Sequence, residues 1–452
     1  MVETPLRQRF LVKAAPSLST SRLEIGPAKA KVALSAEPLF HSIGARRQGI
    51  APTASWQLLT ADAETNINPW DACHAMLEQG LGVSGARAEF AEPDLAQSWR
   101  IGDPRTVGLK LAKTCNDVDR QNPDYPLGPS DYWIRDAEHS QFDQAIAKAG
   151  APQHGRTRVA HLDTGYSDHQ ATPQFLNRNL QKNFVDTDRP DDATDIAWGA
   201  LSNPGHGTGT LGILAGKAIG AGAPLGCAPN AEVVPVRVAN SVVLFYNSAI
   251  ARAFDYVHQL SQDPKTRVDI ITMSMGGLAS QAWADAVNAL YDQGVFIVTA
   301  AGNNYDDLPT RNIVFPARFK RVVAACGAMA DHTPYADLAP RLMAGNYGPD
   351  DKMATAISAS TPNTPWARMG CAATIDLDGS GTSSATPQVA AAAALWVQFH
   401  RTAVDAYPAG WMRVEAIRQA LFQSAAANAK GGCPISKLFA NNTSIELDAK
   451  LV

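Results

Sequence analysis

Residues Gly379–Pro387 read GSGTSSATP and lead almost directly into the alanine-rich apolar run VAAAAALWV. Proline is tolerated only in the first turn of an α-helix, so Pro387 predicts a helix that begins close to Ser383. Unpaired N–H groups and the positive end of the helix dipole favour negative charge there, which suits an oxyanion beside an attacking serine. The alternative is that these hydroxyl residues only cap the helix N-terminus, a role that would account for Thr382 or Ser384 equally well.

Upstream of this helix, short apolar runs alternate with helical stretches. This spacing predicts an α/β fold in which helices flank a mostly parallel sheet. In such a sheet, ligands lie beyond the carboxyl ends of the strands. The predicted strands are Arg158–Leu162, Glu232–Val238, Asp269–Met273, Val295–Ala300 and Val322–Ala325, and the predicted helices are Ser248–Gln262, Ala282–Gln293 and Thr386–His400.

Three further segments place a polar side chain where a predicted strand ends or a helix begins. Asp163 follows the run VAHL, His206 lies between glycines, and Asn303 follows the run IVTAAG. Histidine is the usual group that takes and returns a proton near pH 7, and the Asn303 amide would complete an oxyanion hole with the Ser383 N–H. Taken singly, each segment also fits a plain turn or a helix cap.

Together, the four segments resemble the motifs of one family, the subtilisin-like serine proteases, or subtilases. Asp163 stands in D-T-G, His206 in H-G-T, Asn303 in A-G-N and Ser383 in G-T-S-x-A-x-P, in the family's order. The resemblance covers about residues 133–430. It implies that Ser383 is the nucleophile, that His206 is the general base and that Asp163 orients the histidine. It also implies that Asn303 stabilises the oxyanion.

The resemblance further implies where a substrate binds. Subtilases pair an extended peptide with an exposed strand edge, and the segment SMGG resembles one wall of the family's specificity pocket. The opposite wall is implied to be the segment AAG at residues 300–302, and a plain turn is the alternative for the paired glycines. The implied substrate-binding residues are Ser274, Met275, Gly276, Gly277, Ala301 and Gly302.

Three positions depart from the family pattern, and one of them is Ser384, which stands where a methionine is frequent. His161 occupies a strand position that is usually apolar, two residues before Asp163 and therefore on the same face of the strand. We interpret His161 as a core histidine with a hydrogen-bond partner. Gly209 stands where many relatives carry a second histidine, three residues after His206.

Composition places the chain among globular proteins and argues against several other classes. The 452 residues are 45% hydrophobic and 18% charged, which argues against a disordered, fibrous or coiled-coil chain. The net charge is −4 and no basic arm is present, so nucleic acid is not an expected partner. The longest apolar run is about half of the ~20 residues that a membrane-spanning helix needs, so no membrane association is expected.

The compartment follows from the N-terminus and the cysteines. The start, MVETPLRQRFLVKAAPSL, lacks the apolar run of a signal peptide, so the sequence predicts a cytoplasmic protein. Its six cysteines are far apart and show no zinc spacing, which favours thiols in a reducing cytosol, with a disulfide or two left open. They are Cys73, Cys115, Cys227, Cys326, Cys371 and Cys433.

No cofactor is required by the chemistry that the resemblance implies. One acidic run is a candidate for structural calcium, which many family members use, although it lacks the regular ligand spacing of an EF-hand. A solvated acidic loop is the alternative, so metal ligands stay unknown. The run contains Asp186, Asp188, Asp191, Asp192 and Asp195.

Residues 1–100 predict a small α+β domain, because short strand-like runs surround one helical stretch, Pro69–Gln79. The strand-like runs are Arg9–Lys13, Lys31–Leu34, Trp56–Leu59 and Ala88–Ala91. A polar, proline-bearing linker is predicted over 101–132, a catalytic domain over 133–430 and a tail over 431–452. The first domain is either a propeptide that acts as an intramolecular inhibitor or a permanent interaction domain.

The resulting hypothesis is a serine endopeptidase that acts on protein or peptide substrates through an Asp-His-Ser triad and an acyl-enzyme intermediate. The alternative is a catalytically silent protein of the same fold that binds or regulates a partner. A sedolisin is disfavoured by His206 and Asn303, and a lipase by the absence of a G-x-S-x-G elbow around Ser383.

Overall fold

The structure is a computed structural model that describes residues 7–14, 23–25, 32–44, 54–81, 88–98, 114–196, 204–220, 222, 224–242, 244–426 and 435–436. Cys433, the first part of the predicted linker and all but residues 435–436 of the predicted tail lie outside these residues. The chain divides into two compact units. The smaller comprises Met1–Gln97, Tyr246–Leu260 and Ser280–Ala289, and the larger comprises Ser98–Phe245, Ser261–Ala279 and Leu290–Val452.

The larger unit is built on a nine-stranded sheet in which all neighbouring strands are parallel except one short pair at one edge, Ala425–Ala426 and Ile435–Ser436. This confirms the predicted α/β fold with a mostly parallel sheet, and the five predicted strands are all present. Its core strands read as continuous apolar runs because they are buried on both faces. In spatial order the strands are β19 (Ala425–Ala426), β20 (Ile435–Ser436), β16 (Ala356–Ser360), β14 (Val323–Ala328), β12 (Phe296–Ala300), β11 (Ile270–Met273), β7 (Arg158–Asp163), β9 (Glu232–Arg237) and β8 (Lys182–Asn183).

Nine helices are described, and two of them carry the motifs of the site. The helix α7 is buried along nearly its whole length and packs against α3 and the central strands. It begins at Thr382, which confirms a start close to Ser383, whereas the predicted bound Thr386 lies four residues too late. Pro387 lies in the second turn and not in the first. The helices are α1 (Pro69–Gln79), α2 (Phe142–Ala149), α3 (His206–Ala215), α4 (Asn247–Ser261), α5 (Gln281–Gln293), α6 (Asp350–Met353), α7 (Thr382–Phe399), α8 (Arg401–Asp405) and α9 (Gly410–Ser424).

Short strands complete the larger unit. β13 (Asn303–Tyr305) pairs with β15 (Met343–Gly345), and β17 (Thr364–Ala367) pairs with β18 (Ile375–Gly379), both antiparallel. β17 packs on α3, so this hairpin lies against the helix that begins with His206.

Cys115 and Cys371 form a disulfide with their Cα atoms 5.4 Å apart, which is the alternative that the sequence left open beside the favoured thiols. The two cysteines are separated by 256 positions, and sequence alone does not show that they meet. Cys73, Cys227 and Cys326 are buried and form no disulfide with another described cysteine. Residues 114–132, which fall in the predicted linker, also contact the β17–β18 region: Asp119 N–H donates to Asp376 and Asn122 N–H to Asn363.

The smaller unit contains a five-stranded antiparallel sheet of the order β2-β3-β4-β1-β5 with α1 packed on it. The predicted helix Pro69–Gln79 and the predicted strand-like runs fall on these elements, except that Lys31 lies outside the described residues. Asn68 caps α1 by accepting from Trp70 N–H. The strands are β1 (Arg9–Ala14), β2 (Leu23–Ile25), β3 (Val32–Pro38), β4 (Ser55–Ala61) and β5 (Ala88–Pro93). A further short strand, β6, covers Ala96–Ser98, and β10 covers Leu244–Tyr246.

The same unit includes most of α4 and α5, whose N-termini are capped by acidic residues from the end of β5 and the residue just beyond it. Glu92 accepts from Ser280 Oγ at 2.7 Å and from Gln281 N–H at 3.0 Å. Asp94 accepts from Ser248 N–H at 2.8 Å and from Ser248 Oγ at 2.7 Å. Carboxylates at helix N-termini satisfy unpaired N–H groups and complement the helix dipole.

Candidate active site

Asp163 lies at the carboxyl end of β7, an interior strand of the sheet between β11 and β9, and is fully buried. Its Oδ1 accepts from Thr164 N–H at 2.7 Å and lies 2.7 Å from His206 Nδ1. Its Oδ2 accepts from Thr210 Oγ1 at 3.1 Å. Both oxygens of a buried carboxylate therefore have partners, as burial of a charge requires.

Burial by itself raises the pKa of Asp163. The charge and hydrogen bond of His206, with smaller contributions from His161 and the Thr164 N–H, more than offset that effect, so the net pKa lies below the usual aspartate value. Asp163 is therefore an ionised acceptor for the Nδ1–H of His206 at neutral pH.

His206 is the first residue of α3, and Gly205 before it adopts the left-handed conformation with φ of 81°. A Cβ on Gly207 would lie 2.0 Å from the carbonyl oxygen of Gly165, so glycine is needed where α3 approaches the D-T-G turn. The imidazole contacts the Trp366 ring edge to face, with 5.5 Å between ring centroids. Trp366 and Asp163 thus hold the imidazole from two sides.

Ser383 is the second residue of α7, at the helix N-terminus that the sequence predicts. Its Oγ donates to the carbonyl oxygen of Ser274 at 3.2 Å, and Ser274 Oγ donates to the Ser383 carbonyl oxygen at 3.0 Å. Among the described residues, Ser383 Oγ makes no hydrogen bond to His206. A rotation about χ1 would release the hydroxyl from Ser274, and catalytic hydrogen bonds are often poorly aligned without substrate.

Asn303 follows β12 and holds the start of α7. Its Oδ1 accepts from Thr382 N–H at 2.8 Å, which leaves its Nδ2 as the donating side of the amide. Thr382 Oγ1 in turn donates to the carbonyl oxygen of Gly302 at 3.1 Å. The amide side chain and the N-terminus of the Ser383 helix are therefore fixed together.

Ser383 and Asn303 line one cavity of about 490 Å³, a volume that includes open solvent. Four of the predicted substrate-binding residues also line it: Ser274, Met275, Gly276 and Gly302. The other two are not among its lining residues. Gly277 exchanges backbone hydrogen bonds with Phe315, and the N–H of Ala301 donates to Ala325 inside the sheet.

Val242 also lines the cavity and lies in the segment 240–244, which resembles the second edge of the family's peptide cleft. Sequence reasoning missed the rest of this wall, which comprises Pro309, Thr310, Val314 and Asn346. These residues carry no motif. Val314 explains why residue 276 is a glycine, because a Cβ on Gly276 would lie 2.5 Å from Val314 Cγ2.

His161 and Thr210 lie behind Asp163. His161 Nε2 is 2.8 Å from Thr210 Oγ1, which fits our interpretation of a core histidine with a hydrogen-bond partner. Burial lowers the pKa of His161 to about 4, against smaller opposing effects of Asp163. His161 is therefore neutral at physiological pH.

The acidic run proposed for calcium is largely matched by cationic side chains. Asp186 lies 2.9 Å from Arg189 and 3.2 Å from Arg237, and Lys182 lies 2.5 Å from Asp191. Arg189 also contacts Asp192 at 3.0 Å, and Arg237 contacts Asp195 at 3.3 Å. These contacts do not favour a cation held by this run.

A different acidic group, Asp119, Asp376 and Asp378, places carboxylate oxygens within 4.8 Å of one another among the described residues. Arg368 Nε donates to Asp376 at 2.7 Å, and Arg368 also lies 3.8 Å from Asp119. A metal ion there would compete with the guanidinium of Arg368, so this group carries no metal assignment.

Comparison with known proteins places this chain in a family. The model of the subtilase family matches residues 155–440. A subtilisin-like protease of Coccidioides posadasii is 28% identical over 276 residues, covering 58% of this chain and 62% of that protein. Subtilisin DY of Bacillus licheniformis is 30% identical over 196 residues, covering 42% of this chain and 62% of that protein.

The chain thus spans about three fifths of the length of these two relatives. Among solved structures, that of the prenylagaramide maturation protease PagA matches with a TM-score of 0.46 and 21% identity, covering 66% of this chain and 94% of that one. Within the described residues, no helix is both long and apolar enough to cross a membrane. Because the family model matches well over half of its residues, this chain belongs to the subtilase family.

Proposed function

We propose that this subtilase is a serine endopeptidase that cleaves peptide bonds with Ser383 as the nucleophile. The observation that carries the proposal is that Asp163 holds His206 at 2.7 Å, while Ser383 lies at the start of a helix beside Asn303 in one cavity. The helices that carry His206 and Ser383 pack against each other.

In the proposed reaction, Ser383 Oγ rotates away from Ser274, gives its proton to His206 Nε2 and attacks the peptide carbonyl carbon. Asp163 keeps the proton of the imidazole on Nδ1 and stabilises the imidazolium. His206 then protonates the leaving amine, and water hydrolyses the acyl-enzyme by the same route in reverse. All of these steps use side chains of the chain itself, so no cofactor is part of the proposal.

The tetrahedral oxyanion would accept hydrogen bonds from Asn303 Nδ2 and from the backbone N–H of Ser383. Removing one such donor costs about 10²- to 10³-fold in kcat, a magnitude measured in a subtilisin itself. We therefore expect Asn303→Ala to lower kcat by about that factor with little change in KM.

Labelling with a fluorophosphonate probe tests the function directly. We expect wild type and Ser380→Ala to be labelled and Ser383→Ala not to be, because Ser380 is a neighbouring hydroxyl outside the proposed chemistry. A folded wild-type protein that is not labelled would favour the alternative, a catalytically silent binding or regulatory protein.

The cavity supports a proposal about the substrate. None of the described residues that line it is charged, and Val314, Val242 and Met275 supply apolar surface. We propose that the side chain before the scissile bond is uncharged. Cleavage of a peptide library by wild type, with Ser383→Ala as the blank, tests this, and a majority of cuts after Lys, Arg, Asp or Glu would contradict it.

We also propose that the N-terminal domain is an intramolecular inhibitor. The support is that Glu92 and Asp94 cap α5 and α4, two helices of the region matched by the subtilase model. Gels of wild type and Ser383→Ala with N-terminal sequencing test this. Cleavage near residues 95–130 in wild type alone supports a removable inhibitor, and an intact chain in both favours a permanent interaction domain.

The cytoplasmic location stays a prediction. The Cys115–Cys371 disulfide counts against it, because disulfides persist mainly in oxidising compartments. Thiols can be trapped with an alkylating agent at cell lysis and both cysteines followed by mass spectrometry. Alkylated cysteines would indicate the reducing cytoplasm, and a disulfide-linked pair would indicate an oxidising compartment.

A further inference from the structure

Two buried polar side chains stand directly behind the carboxylate of Asp163. Thr210, one turn after His206 on α3, is 0% exposed, and His161, two residues before Asp163 on β7, is 2% exposed. Burying polar groups costs free energy unless each finds a hydrogen-bond partner. Neither residue lines the cavity that holds Ser383.

The protons can be followed atom by atom. Asp163 Oδ1 already receives the Thr164 N–H and faces the Nδ1 of His206. Among the described residues, the hydrogen-bond donor to Oδ2 is the Thr210 hydroxyl, at 3.1 Å. That hydroxyl has one proton and three acceptors within reach, because the carbonyl oxygens of His206 and Gly207 lie 3.2 and 3.3 Å away.

His161 restricts where the proton of the Thr210 hydroxyl can point. With its Nε2 only 2.8 Å from Thr210 Oγ1, a neutral His161 that is protonated on Nε2 donates to the hydroxyl oxygen. Thr210 then donates its own proton elsewhere. A carboxylate is a stronger acceptor than a helix carbonyl that already takes part in the helix, so the proton points to Asp163 Oδ2.

We propose that Thr210 and His161 are positioning residues for the reaction: His161 donates to Thr210, Thr210 donates to Asp163 Oδ2, and the carboxylate is thereby held with Oδ1 toward His206. This inference rests on the proposed function. It assigns a role to two residues outside the four motif positions.

Loss of the hydroxyl has a defined consequence. Without it, Oδ2 is left in the interior with no hydrogen bond, and the carboxylate is free to turn away from the Nδ1–H of His206. A hydrogen bond to a charged group is worth ~1.5 kcal/mol or more, so Thr210→Val should lower kcat about tenfold. KM should change less than about twofold, because Thr210 does not line the cavity and so does not contribute to binding of the substrate in its ground state.

The pH profile gives a second readout. Without the Thr210 hydrogen bond, the carboxylate is held less firmly toward His206 and stabilises its imidazolium less, so the acid limb of kcat/KM should move to lower pH. The other charged groups at this edge are Arg237 and Asp195, which contact Thr164 and each other. They are unchanged in every variant.

The test compares Thr210→Val with the matched control Thr210→Ser, which keeps the hydroxyl. We expect the serine variant to stay within about threefold of wild type and to keep the wild-type acid limb. A valine variant with wild-type kcat and pH profile, or a serine variant as impaired as valine, would overturn the role of Thr210.

His161 is tested by a double-mutant cycle. His161→Leu should lower kcat by itself but cause no further fall in the Thr210→Val background, because it acts through that hydroxyl. Additive losses would overturn the role of His161. If Thr210→Val alone does not fold because His161 Nε2–H has lost its acceptor, the double variant removes that donor, and its kcat can then be compared with that of the wild type.

Fluorophosphonate labelling of the wild type separates two kinds of failure. If the wild type is not labelled, the proposed function fails. If the wild type is labelled and Thr210→Val behaves like it, only the present inference fails.

Discussion

Cutting the disulfide between Cys115 and Cys371 should lower the free energy of unfolding while leaving the native fold in place. The two cysteines are 256 positions apart. In the chain-entropy treatment, a cross-link over a loop of that length destabilises the unfolded chain by about 5.5 kcal/mol at 25 °C, an upper value because residual structure in the unfolded chain reduces it.

The native fold should survive because local hydrogen bonds remain when the disulfide is gone. Thr374 Oγ1 donates to the Cys115 carbonyl oxygen at 2.7 Å, and Arg368 donates to the Thr114 carbonyl oxygen at 3.0 Å. The double variant Cys115→Ser/Cys371→Ser is therefore expected to fold but to unfold at lower urea concentration.

Urea unfolding followed by tryptophan fluorescence measures this, in a Ser383→Ala background that prevents self-digestion. A reductant should lower the midpoint of the parent to that of the double serine variant and should not affect the variant itself. Equal midpoints for the oxidised parent and the double variant would refute the reasoning. A midpoint that still falls when reductant is added to the variant would show that the reductant acts elsewhere.

Three further outcomes are expected. Gly209→Ala should lower the free energy of unfolding by about 1–3 kcal/mol and lower kcat, because the new Cβ would lie 1.9 Å from the Trp366 ring. Gly212→Ala is the milder control, since its Cβ would lie 3.1 Å from the nearest side-chain atom, and equal urea midpoints for the two variants would contradict this. The pKa of His161 is about 4 in the folded chain against 6.5 in the unfolded chain, so as the pH falls the unfolded chain binds a proton on His161 first, and the free energy of unfolding decreases from pH 6.5 towards pH 4. Between pH 7 and 5, His161→Leu should therefore lose about 2 kcal/mol less of its unfolding free energy than its parent does, and urea midpoints that fall in parallel for the two would contradict this. Asp94→Ala should cost about 1–2 kcal/mol and speed hydrogen exchange in the first turn of α4, and unchanged exchange there would argue against the cap.

Five of the nine described strands of the large sheet could be read from the sequence because each is encoded locally as an apolar run, whereas β8, β16, β19 and β20 were not predicted. The strand Phe296–Ala300 is buried at every residue, so it stands out as an apolar run, and its observed bounds differ by one residue from the predicted ones. The start of α7 was readable to within four residues, since Pro387 restricts where a helix can begin but lies in the second turn and not in the first.

The walls of the cavity were not readable, because they depend on contacts between distant segments. Val314 and Asn346 reach the pocket from loops with no motif, and only the fold brings them opposite Gly276. The Cys115–Cys371 pair is hidden for the same reason, as spacing alone cannot say which cysteines meet.

The environment of Asp163 lies between these two cases. His161 and Thr210 are each within four residues of a motif, so the sequence presents both, but strand alternation predicts only that His161 shares a face with Asp163. That Thr210 from α3 lies between the two side chains depends on the packing of the helix on the sheet, at distances of 2.8 and 3.1 Å. Motifs can therefore reveal the groups proposed to react, whereas the residues that hold those groups in place become visible only when hydrogen bonds are traced from each reacting atom into the core.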